Sequence, residues 1–267
     1  MAQDEHARTI QELYDLKDRV ALVSGGYGLY GQWMSQALVE AGAQVIVASR
    51  NLEKCEEYAE QLQAAGGKAT GMQLDQSDEA SITALRDRID ESFGRLGVFV
   101  NNAVGRFGVK NMLEADTAQW PDYMQVNATG VMLMGKHLGT YMYEQGHGSI
   151  INISSIYGVV GPTFPIYEGS DVTSPAEYAF VKGGLCNLTR HMATLLGPRV
   201  RVNCLAPTAH TGMMEGILPD DQLAALDPAL VSPALLPLVV DDAPTRAIVC
   251  AGAGHFARAG VTLTEGR

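Results

Sequence analysis

A tyrosine and a lysine stand four positions apart in the segment Tyr178-Ala-Phe-Val-Lys182. In a helix, positions i and i+4 lie on one face, so the two side chains would meet. A tyrosine whose pKa is about 10 is a poor acid or base at neutral pH, but a neighbouring positive charge favours its phenolate. The pair is therefore a candidate proton-transfer couple, although a packed tyrosine beside a surface lysine would give the same spacing.

A second candidate site is a glycine-rich turn within residues 20–41, which read VALVSGGYGLYGQWMSQALVEA. Gly26, Gly28 and Gly31 match GxGxxG, and Gly25, Gly28 and Gly31 match GxxGxxG. Glycines let such a turn close and let its backbone approach a pyrophosphate, which the N-terminus of the following helix then binds. Because the turn directly follows an apolar strand-like run, we predict dinucleotide binding. The alternative is a tight turn with packing glycines.

The end of the next apolar run bears on which dinucleotide is bound. Ser49 stands where an NAD-selecting carboxylate would normally accept hydrogen bonds from the ribose 2′-hydroxyl, and Arg50 follows it. An arginine suits a 2′-phosphate, so we predict a preference for NADP(H), with NAD(H) possible. The alternative is that Arg50 is solvated, stacks on adenine or caps the next helix. Asp75 would bind the adenine edge or cap a helix that begins near Asp78.

Apolar, β-branched runs alternate with segments of helical period, which is the pattern of βαβ units around a parallel sheet. The predicted strands are residues 19–24, 44–49, 69–74, 98–102, 149–154, 200–205 and 247–251. The predicted helices lie near 31–41, 52–64, 78–93, 117–143 and 176–196. We therefore predict an α/β fold, a single Rossmann-type doubly wound domain over residues 1–267 with a seven-stranded parallel sheet flanked by helices. Residues 1–16 form a lead-in whose Ile10, Leu13 and Tyr14 are expected to pack on the body.

One long connection, residues 162–175, is an insertion between the fifth predicted strand and its helix. It leaves the carboxyl end of a strand, where open α/β sheets bind their ligands. We therefore hypothesise that Tyr167, Glu168 and Asp171 border the mouth of a substrate pocket. An oligomer contact or an inert surface loop would explain the insertion equally well.

A second long connection, residues 207–233, follows the sixth predicted strand and carries apolar side chains such as Met213 and Met214. Connections of this length inside a compact domain are usually functional lids or disordered loops. We predict that this segment is a substrate lid.

Composition excludes several classes of partner. The formal net charge of −11 and pI of about 4.9 argue against nucleic acid or an anionic membrane. The four cysteines have no CxxC or histidine spacing typical of a metal site, so no metal is expected and a reducing cytoplasm is the simplest location. The polar start MAQDEHARTI is unlike a secretory signal, and no apolar run approaches the roughly 18 residues of a membrane-spanning helix. We expect a soluble cytoplasmic protein with a small-molecule partner.

In the content and order of its motifs, the chain from about Leu16 to Ala251 resembles the short-chain dehydrogenase/reductase family. Residues 24–31 are similar to the family's cofactor turn, Asn101-Asn102-Ala103 to its NNAG element, and Asn127 in QVNATG to its catalytic asparagine. Ser154-Ser155 follows IINI, Tyr178 and Lys182 complete a catalytic tetrad, and Pro207 after RVNCLA is similar to the start of a nicotinamide-contacting loop.

The resemblance implies a role for each of these residues. Ser155, rather than Ser154, would hydrogen-bond the substrate oxygen while Tyr178 exchanges the proton with it. Lys182 would bind the nicotinamide ribose and favour the phenolate, and Asn127 would hold a water that links Lys182 to solvent. The expected cofactor-binding residues are Gly25, Gly28, Tyr30, Gly31, Ser49, Arg50, Asp75, Asn102, Ala103, Tyr178, Lys182, Pro207, Thr208 and Thr211.

The chain departs from the family pattern at several positions. Leu29 stands where the turn usually has glycine, Val104 replaces the glycine of NNAG, and Thr208 replaces the glycine after Pro207. We expect a different local backbone path or cofactor affinity there. The insertion and lead-in are similar to sugar- and gluconate-type dehydrogenases, whereas APTAHTGMM and CAGAGHF are similar to hydroxyacyl-type enzymes. The expected substrate is therefore a sugar or polyol derivative or a hydroxyacyl compound.

These observations predict an NAD(P)-dependent oxidoreductase that interconverts a secondary alcohol and a ketone by hydride transfer. Two alternative functions on the same fold are a dinucleotide-sensing regulator and a cofactor-free lyase or dehalogenase. The regulator would tolerate loss of the tetrad, and the cofactor-free enzyme would be expected to fill the cofactor groove or to lose Lys182. The resemblance also implies a homotetramer or homodimer that packs through the helices near 117–143 and 176–196.

Overall fold

The computed structural model describes residues 8–105, 110–170, 172–211 and 217–266 and contains one central β-sheet. Its strands are β1 (Val20–Ser24), β2 (Gln44–Ser49), β3 (Lys68–Gln73), β4 (Val98–Asn101), β5 (Gly148–Ile153), β6 (Val200–Pro207), β7 (Ile248–Gly252) and β8 (His255–Ala259). The strand order is β3-β2-β1-β4-β5-β6-β7-β8. Strands β1 to β7 are parallel, and each lies within two residues of its predicted position.

The prediction of a seven-stranded, wholly parallel sheet is wrong at one edge. Strand β8 pairs antiparallel with β7 and makes the sheet eight-stranded. The two strands are joined by Ala253 and Gly254, whose φ angles are 48° and 72°. Two consecutive positive φ angles are those of a type I′ turn, which lets the chain fold straight back into a hairpin.

Helices cover both faces of the sheet. They are α1 (Ile10–Leu13), α2 (Gly31–Glu40), α3 (Leu52–Ala64), α4 (Glu79–Phe93), α5 (Trp120–Met124), α6 (Val131–Gln145), α7 (Ala176–Leu196), α8 (Asp220–Ala225) and α9 (Leu236–Val239). Alternate strand residues point to opposite faces. Ala21 and Val23 pack with α2, α3 and α9 in one buried cluster, and Val20 and Leu22 pack with α4, α6 and α7 in another.

The helix predicted near 117–143 is interrupted. A 3₁₀ turn (Thr117–Gln119) and α5 precede a π-helical turn (Gln125–Gly130), and α6 follows it. Gly130, the last residue of the π-helical turn, packs against the loop after β3. A Cβ on Gly130 would overlap the carbonyl oxygen of Gln76. Wide turns of this kind occur often at functional sites.

Two flanking segments also differ from the prediction. In the described part of the lead-in, residues 8–16, the one helical turn is α1; Ile10 is 76% exposed and does not pack on the body, whereas Leu13 and Tyr14 are half-buried. The segment Asp220–Val239 is the candidate membrane span by length and mean hydropathy (1.4) within the described part of the chain. It folds instead as α8, two 3₁₀ turns and α9, because its prolines break a continuous helix, and Val231 and Leu235 are fully buried.

Candidate functional site

The glycine turn is built by close backbone packing. The Gly25 N–H donates to Ala48 O (2.7 Å), and the Gly28 N–H donates to Gly25 O (2.9 Å). Gly25 has φ +65°, a conformation that favours glycine. A Cβ on Gly31 would overlap Gly25 O, so Gly31 sits beneath the turn and lets α2 approach it. Gly31 therefore packs the turn and does not line the groove where we expected it to bind cofactor.

A groove with a cavity volume of about 420 Å³ opens above this turn. Eight of the predicted cofactor residues line it: Gly25, Gly28, Tyr30, Ser49, Arg50, Asp75, Asn102 and Ala103. The sequence analysis missed other lining residues, among them Tyr27, Gln76, Gly105 and Val126. The sequence signals for these residues were the place of Tyr27 in the glycine-rich turn, the places of Gln76 and Gly105 after predicted strands, and, for Val126, the neighbouring Asn127.

The NNA segment after β4 holds the turn in place. The Ser24 hydroxyl oxygen accepts from the backbone N–H groups of Asn102 and Ala103, both at 3.0 Å. The Asn102 amide in turn donates to Ser24 O (2.9 Å). Leu29 and Val104, which replace two glycines of the family pattern, line the groove and are 47% and 40% exposed. Both side chains are thus accommodated at the surface of the groove.

One end of the groove carries a cation and a carboxylate. Arg50 is exposed beyond β2, next to Ser49. The Asp75 carboxylate accepts from the hydroxyl (2.6 Å) and backbone N–H (2.9 Å) of Ser77. The Ser77 hydroxyl lowers the pKa of Asp75 most, and Arg50 lowers it further. Asp78, not Asp75, caps α4, since its side chain accepts from Ala80 N.

Tyr178 and Lys182 lie on α7, with Lys182 Nζ 5.7 Å from the centre of the Tyr178 ring. The Lys182 ammonium donates to Ile153 O at the end of β5 (2.8 Å). The side chain is buried, and burial lowers the pKa of Lys182 to about 8. An ammonium this close to a phenol stabilises the phenolate.

The two serines after β5 occupy different environments. The Ser154 hydroxyl donates to Lys182 O (2.8 Å) and lies 3.3 Å from Cys186 Sγ, so it faces α7. The Ser155 hydroxyl caps the 3₁₀ turn Ile156–Gly158 by accepting from Tyr157 N (3.2 Å). The Ser155 proton is not used in that contact, and it can be donated to another oxygen.

Asn127 lies in the π-helical turn and is buried. Its amide oxygen accepts from Gly105 N (2.9 Å), and its amide N–H groups donate to Gly105 O (2.9 Å) and Tyr123 O (3.1 Å). The side chain therefore fastens the loop after β4 to the π-helical turn. Both amide protons are committed to backbone oxygens.

The loop that follows β6 crosses beside the groove. Thr208 N donates to Ala251 O (2.8 Å), which continues the pairing of β6 with β7 beyond Pro207, and Thr211 is buried. The Tyr30 hydroxyl donates to Ala209 O (3.5 Å).

Burial first, and then the neighbouring Tyr178, raise the pKa of Tyr30. Tyr30 thus connects three of the predicted parts: the glycine turn, the loop after β6 and the Tyr178–Lys182 pair. The expectations for Asp171, Met213 and Met214 concern positions outside the described residues.

Comparisons with known proteins identify the family of the chain. The profile of the short chain dehydrogenase family matches residues 19–222. Cis-4-hydroxycyclohexanecarboxylate dehydrogenase of Sinomonas cyclohexanicum is 36% identical over 78% of this chain and 80% of its own length. 2-(S)-hydroxypropyl-CoM dehydrogenase 3 of Xanthobacter autotrophicus is 34% identical over 77% of this chain and 78% of its own length.

Solved structures share the fold. A short-chain type dehydrogenase/reductase from Mycobacterium marinum has a TM-score of 0.77 and 26% identity, covering 91% of this chain and 97% of its own. A gluconate 5-dehydrogenase from Burkholderia cenocepacia, solved with NADP and tartrate, has a TM-score of 0.79 and covers 92% of this chain and 98% of its own. At 23% identity, this likeness shows the fold alone. The chain belongs to the short-chain dehydrogenase family and is an NAD(P)-dependent oxidoreductase of the alcohol dehydrogenase/reductase type.

Proposed function

We propose that the protein interconverts a secondary alcohol and a ketone, with Tyr178 as the residue that exchanges the substrate proton. The observation that carries this proposal is the buried Lys182 ammonium beside the Tyr178 ring, next to Tyr30 of the dinucleotide-type groove. A tyrosine in this position can act as general acid or base, because the ammonium stabilises its phenolate. A bound nicotinamide supplies or accepts the hydride.

Three further residues complete the proposed tetrad. Ser155 donates its free proton to the substrate oxygen, because the Ser154 hydroxyl is already used on Lys182 O. Lys182 holds its charge against the Tyr178 ring and binds the nicotinamide ribose. Asn127 has a positioning role, since it holds Gly105 in the wall of the groove. We also propose that Asn127 holds a water molecule that links Lys182 to solvent.

The groove fits a dinucleotide in shape and chemistry. The backbone at Gly25 and Gly28 leaves a surface free of side chains for a pyrophosphate, with the N-terminus of α2 behind it. Exposed Arg50 offers a planar cation for a 2′-phosphate, and Ser49 brings no carboxylate to repel it. We propose NADP(H) as the preferred cofactor, bound also through Asp75 in the groove and through Pro207, Thr208 and Thr211 at and after the end of β6.

The names of the two relatives describe secondary alcohols. We therefore propose a small secondary alcohol as the substrate. The sugar or polyol derivatives and hydroxyacyl compounds expected from the sequence are included in the substrate panel below. We also propose a homodimer or homotetramer, a cytoplasmic location and no nucleic-acid or membrane partner.

The test is replacement of the proton-transfer residue. In Tyr178→Phe we expect kcat to fall about 10²- to 10⁴-fold, the range for loss of a general acid or base, while NADPH affinity changes only a few-fold. Both are measured with NADPH and NADH over a panel of cyclic, sugar-derived and acyl ketones. Tyr143→Phe, which removes a phenol hydroxyl at the far end of α6, is the matched control.

Full activity of Tyr178→Phe would contradict the mechanism. Turnover of none of the ketones by the native protein would contradict the enzymatic proposal and favour a dinucleotide-sensing regulator or a cofactor-free lyase or dehalogenase. A lower KM for NADH than for NADPH would contradict the cofactor preference.

A further inference from the structure

Two tyrosine hydroxyls meet beside the proposed active site. The hydroxyl oxygens of Tyr157 and Tyr167 lie 2.8 Å apart. Tyr157 comes two residues after Ser155, whose hydroxyl accepts from its backbone N–H. Tyr167 belongs to the 3₁₀ turn Phe164–Tyr167 of the insertion. The insertion thus delivers a hydroxyl to the segment that carries Ser155.

The structure fixes both partners of this pair. The 3₁₀ turn of Tyr157 rests on α7, because a Cβ on Gly158 would lie only 2.5 Å from Lys182 O. Tyr167 is held by the Ser170 hydroxyl, which donates to Tyr167 O (3.0 Å), and by Phe164, whose ring centre is 6.3 Å away. Both phenol rings are half-buried.

The environment of Tyr167 favours its protonated form. Burial raises the pKa of Tyr167, followed by the hydrogen bond with Tyr157, and the neighbouring Tyr178 raises it further. The contact with Tyr157 places Tyr167 beside the segment that carries Ser155, the residue proposed to bind the substrate oxygen.

A hydroxyl pair of this kind leaves one donor. Two phenols share one hydrogen bond, so one of the two protons is not used between them. The unused proton is available to an oxygen acceptor from outside the pair.

The surroundings indicate what kind of molecule brings that oxygen. Phe164, in ring contact with Tyr167, and Val160 and Ile166, which lie between Tyr157 and Tyr167 in the chain, are 51%, 54% and 38% exposed, which suits an apolar skeleton. Glu168 and Glu177 flank Tyr167 and Tyr178 in the chain and disfavour a second negative charge there.

We propose that the Tyr157–Tyr167 pair binds an uncharged oxygen of the substrate that is remote from its reacting carbon. The proposal rests on the proposed function and gives it a substrate class: a secondary alcohol on a compact apolar skeleton with a second hydroxyl or carbonyl oxygen. Tyr167 is then a specificity-determining residue.

Binding of ketones to the oxidised-cofactor complex tests this without turnover, provided that the ketone carries no alcohol to oxidise. Calorimetry on the native enzyme saturated with NADP⁺ compares cyclohexanone, 4-methoxycyclohexanone, whose ether oxygen accepts a hydrogen bond, and 4-oxocyclohexanecarboxylate. We expect 4-methoxycyclohexanone to bind about 3- to 10-fold more tightly than cyclohexanone, the effect of one net hydrogen bond, and more tightly than the carboxylate. In Tyr167→Phe the preference should fall below two-fold while the affinity for cyclohexanone is unchanged.

Two comparisons separate recognition from loss of structure. Tyr143→Phe should keep the full preference, and Tyr157→Phe combined with Tyr167→Phe should lose no more than Tyr167→Phe alone, because Tyr167 is the residue proposed to donate to the substrate oxygen. Equal affinity for the two neutral ketones, no binding of either, tightest binding of the carboxylate or an unchanged preference in Tyr167→Phe overturns the proposal. Reduction of the same ketones by NADPH tests the proposed function separately.

Discussion

At the residue scale, Lys182 shows how burial and charge compete in the site. Its ammonium has one backbone acceptor, Ile153 O, and little contact with solvent. The spacing of Tyr178 and Lys182 was enough to predict that they meet on one helix face. It gave no information on burial, because the carbonyl that receives Lys182 belongs to a strand 29 positions earlier in the chain.

The depressed pKa of Lys182, about 8, makes stability depend on pH. Between about pH 8 and pH 10.5 the folded protein has released the Lys182 proton and the unfolded chain still holds it, so the free energy of unfolding rises with pH. Below about pH 8 both states are protonated and the burial cost is constant. Relative to Lys182→Met, we expect native stability to rise by up to about 3 kcal/mol across this window.

Denaturant titrations of both proteins from pH 7 to 10.5 measure the effect. Lys54→Met, which replaces an exposed lysine of α3, is the control and should show no such window. A constant difference between native protein and Lys182→Met at all pH values would mean that burial does not depress the pKa.

At the element scale, the strands and most helices were predictable because their apolar period is strong. The π-helical turn was not, since QVNATG reads like any helical segment, and only the Gln76 loop and Gly105 beneath it demand the wider turn. Strand β8 was missed because HFARA is short and has no apolar alternation, and its turn has Ala253 where hairpins favour asparagine or aspartate.

The packing of α2 on the glycine turn can be tested at Gly31, because the absence of a side chain there allows the close approach. In Gly31→Ala the new methyl group must displace Gly25 O, so we expect the free energy of unfolding to fall by about 2 kcal/mol and NADPH affinity to fall at least ten-fold. Gly260→Ala, at an exposed position after β8 with open space around it, is the control and should change the free energy of unfolding by less than about 0.5 kcal/mol. Unchanged NADPH binding in Gly31→Ala would show that the turn adapts.

At the scale of the whole molecule, two buried clusters hold helices to the sheet, yet the outer faces of α5, α6 and α7 are also apolar. Trp120, Met132, Phe180 and Leu195 are 42%, 46%, 64% and 65% exposed, and the Trp120 and Phe180 ring centres are 5.6 Å apart. A contiguous apolar surface of this kind usually marks a protein interface. This supports the proposed dimer or tetramer.

We expect Phe180→Asp to weaken that assembly. A buried carboxylate at an apolar interface has no partner, so the mass in analytical ultracentrifugation should fall at least two-fold at micromolar concentration. Ile10→Asp, a matched change at an exposed position on α1, should leave the mass unchanged. An unaltered mass for Phe180→Asp, or a monomeric native protein, would contradict the proposed interface.

The insertion follows β5 and leads into α7. At its start Gly158 packs against Lys182 O, at its end Pro175 precedes the first residue of α7, and none of its described residues, 162–170 and 172–175, lines the groove. A change in the length of this loop would therefore leave the phosphate-binding turn in place. Under the proposed role of Tyr167, a new loop grafted between these two points would change the preferred substrate while the cofactor groove is retained.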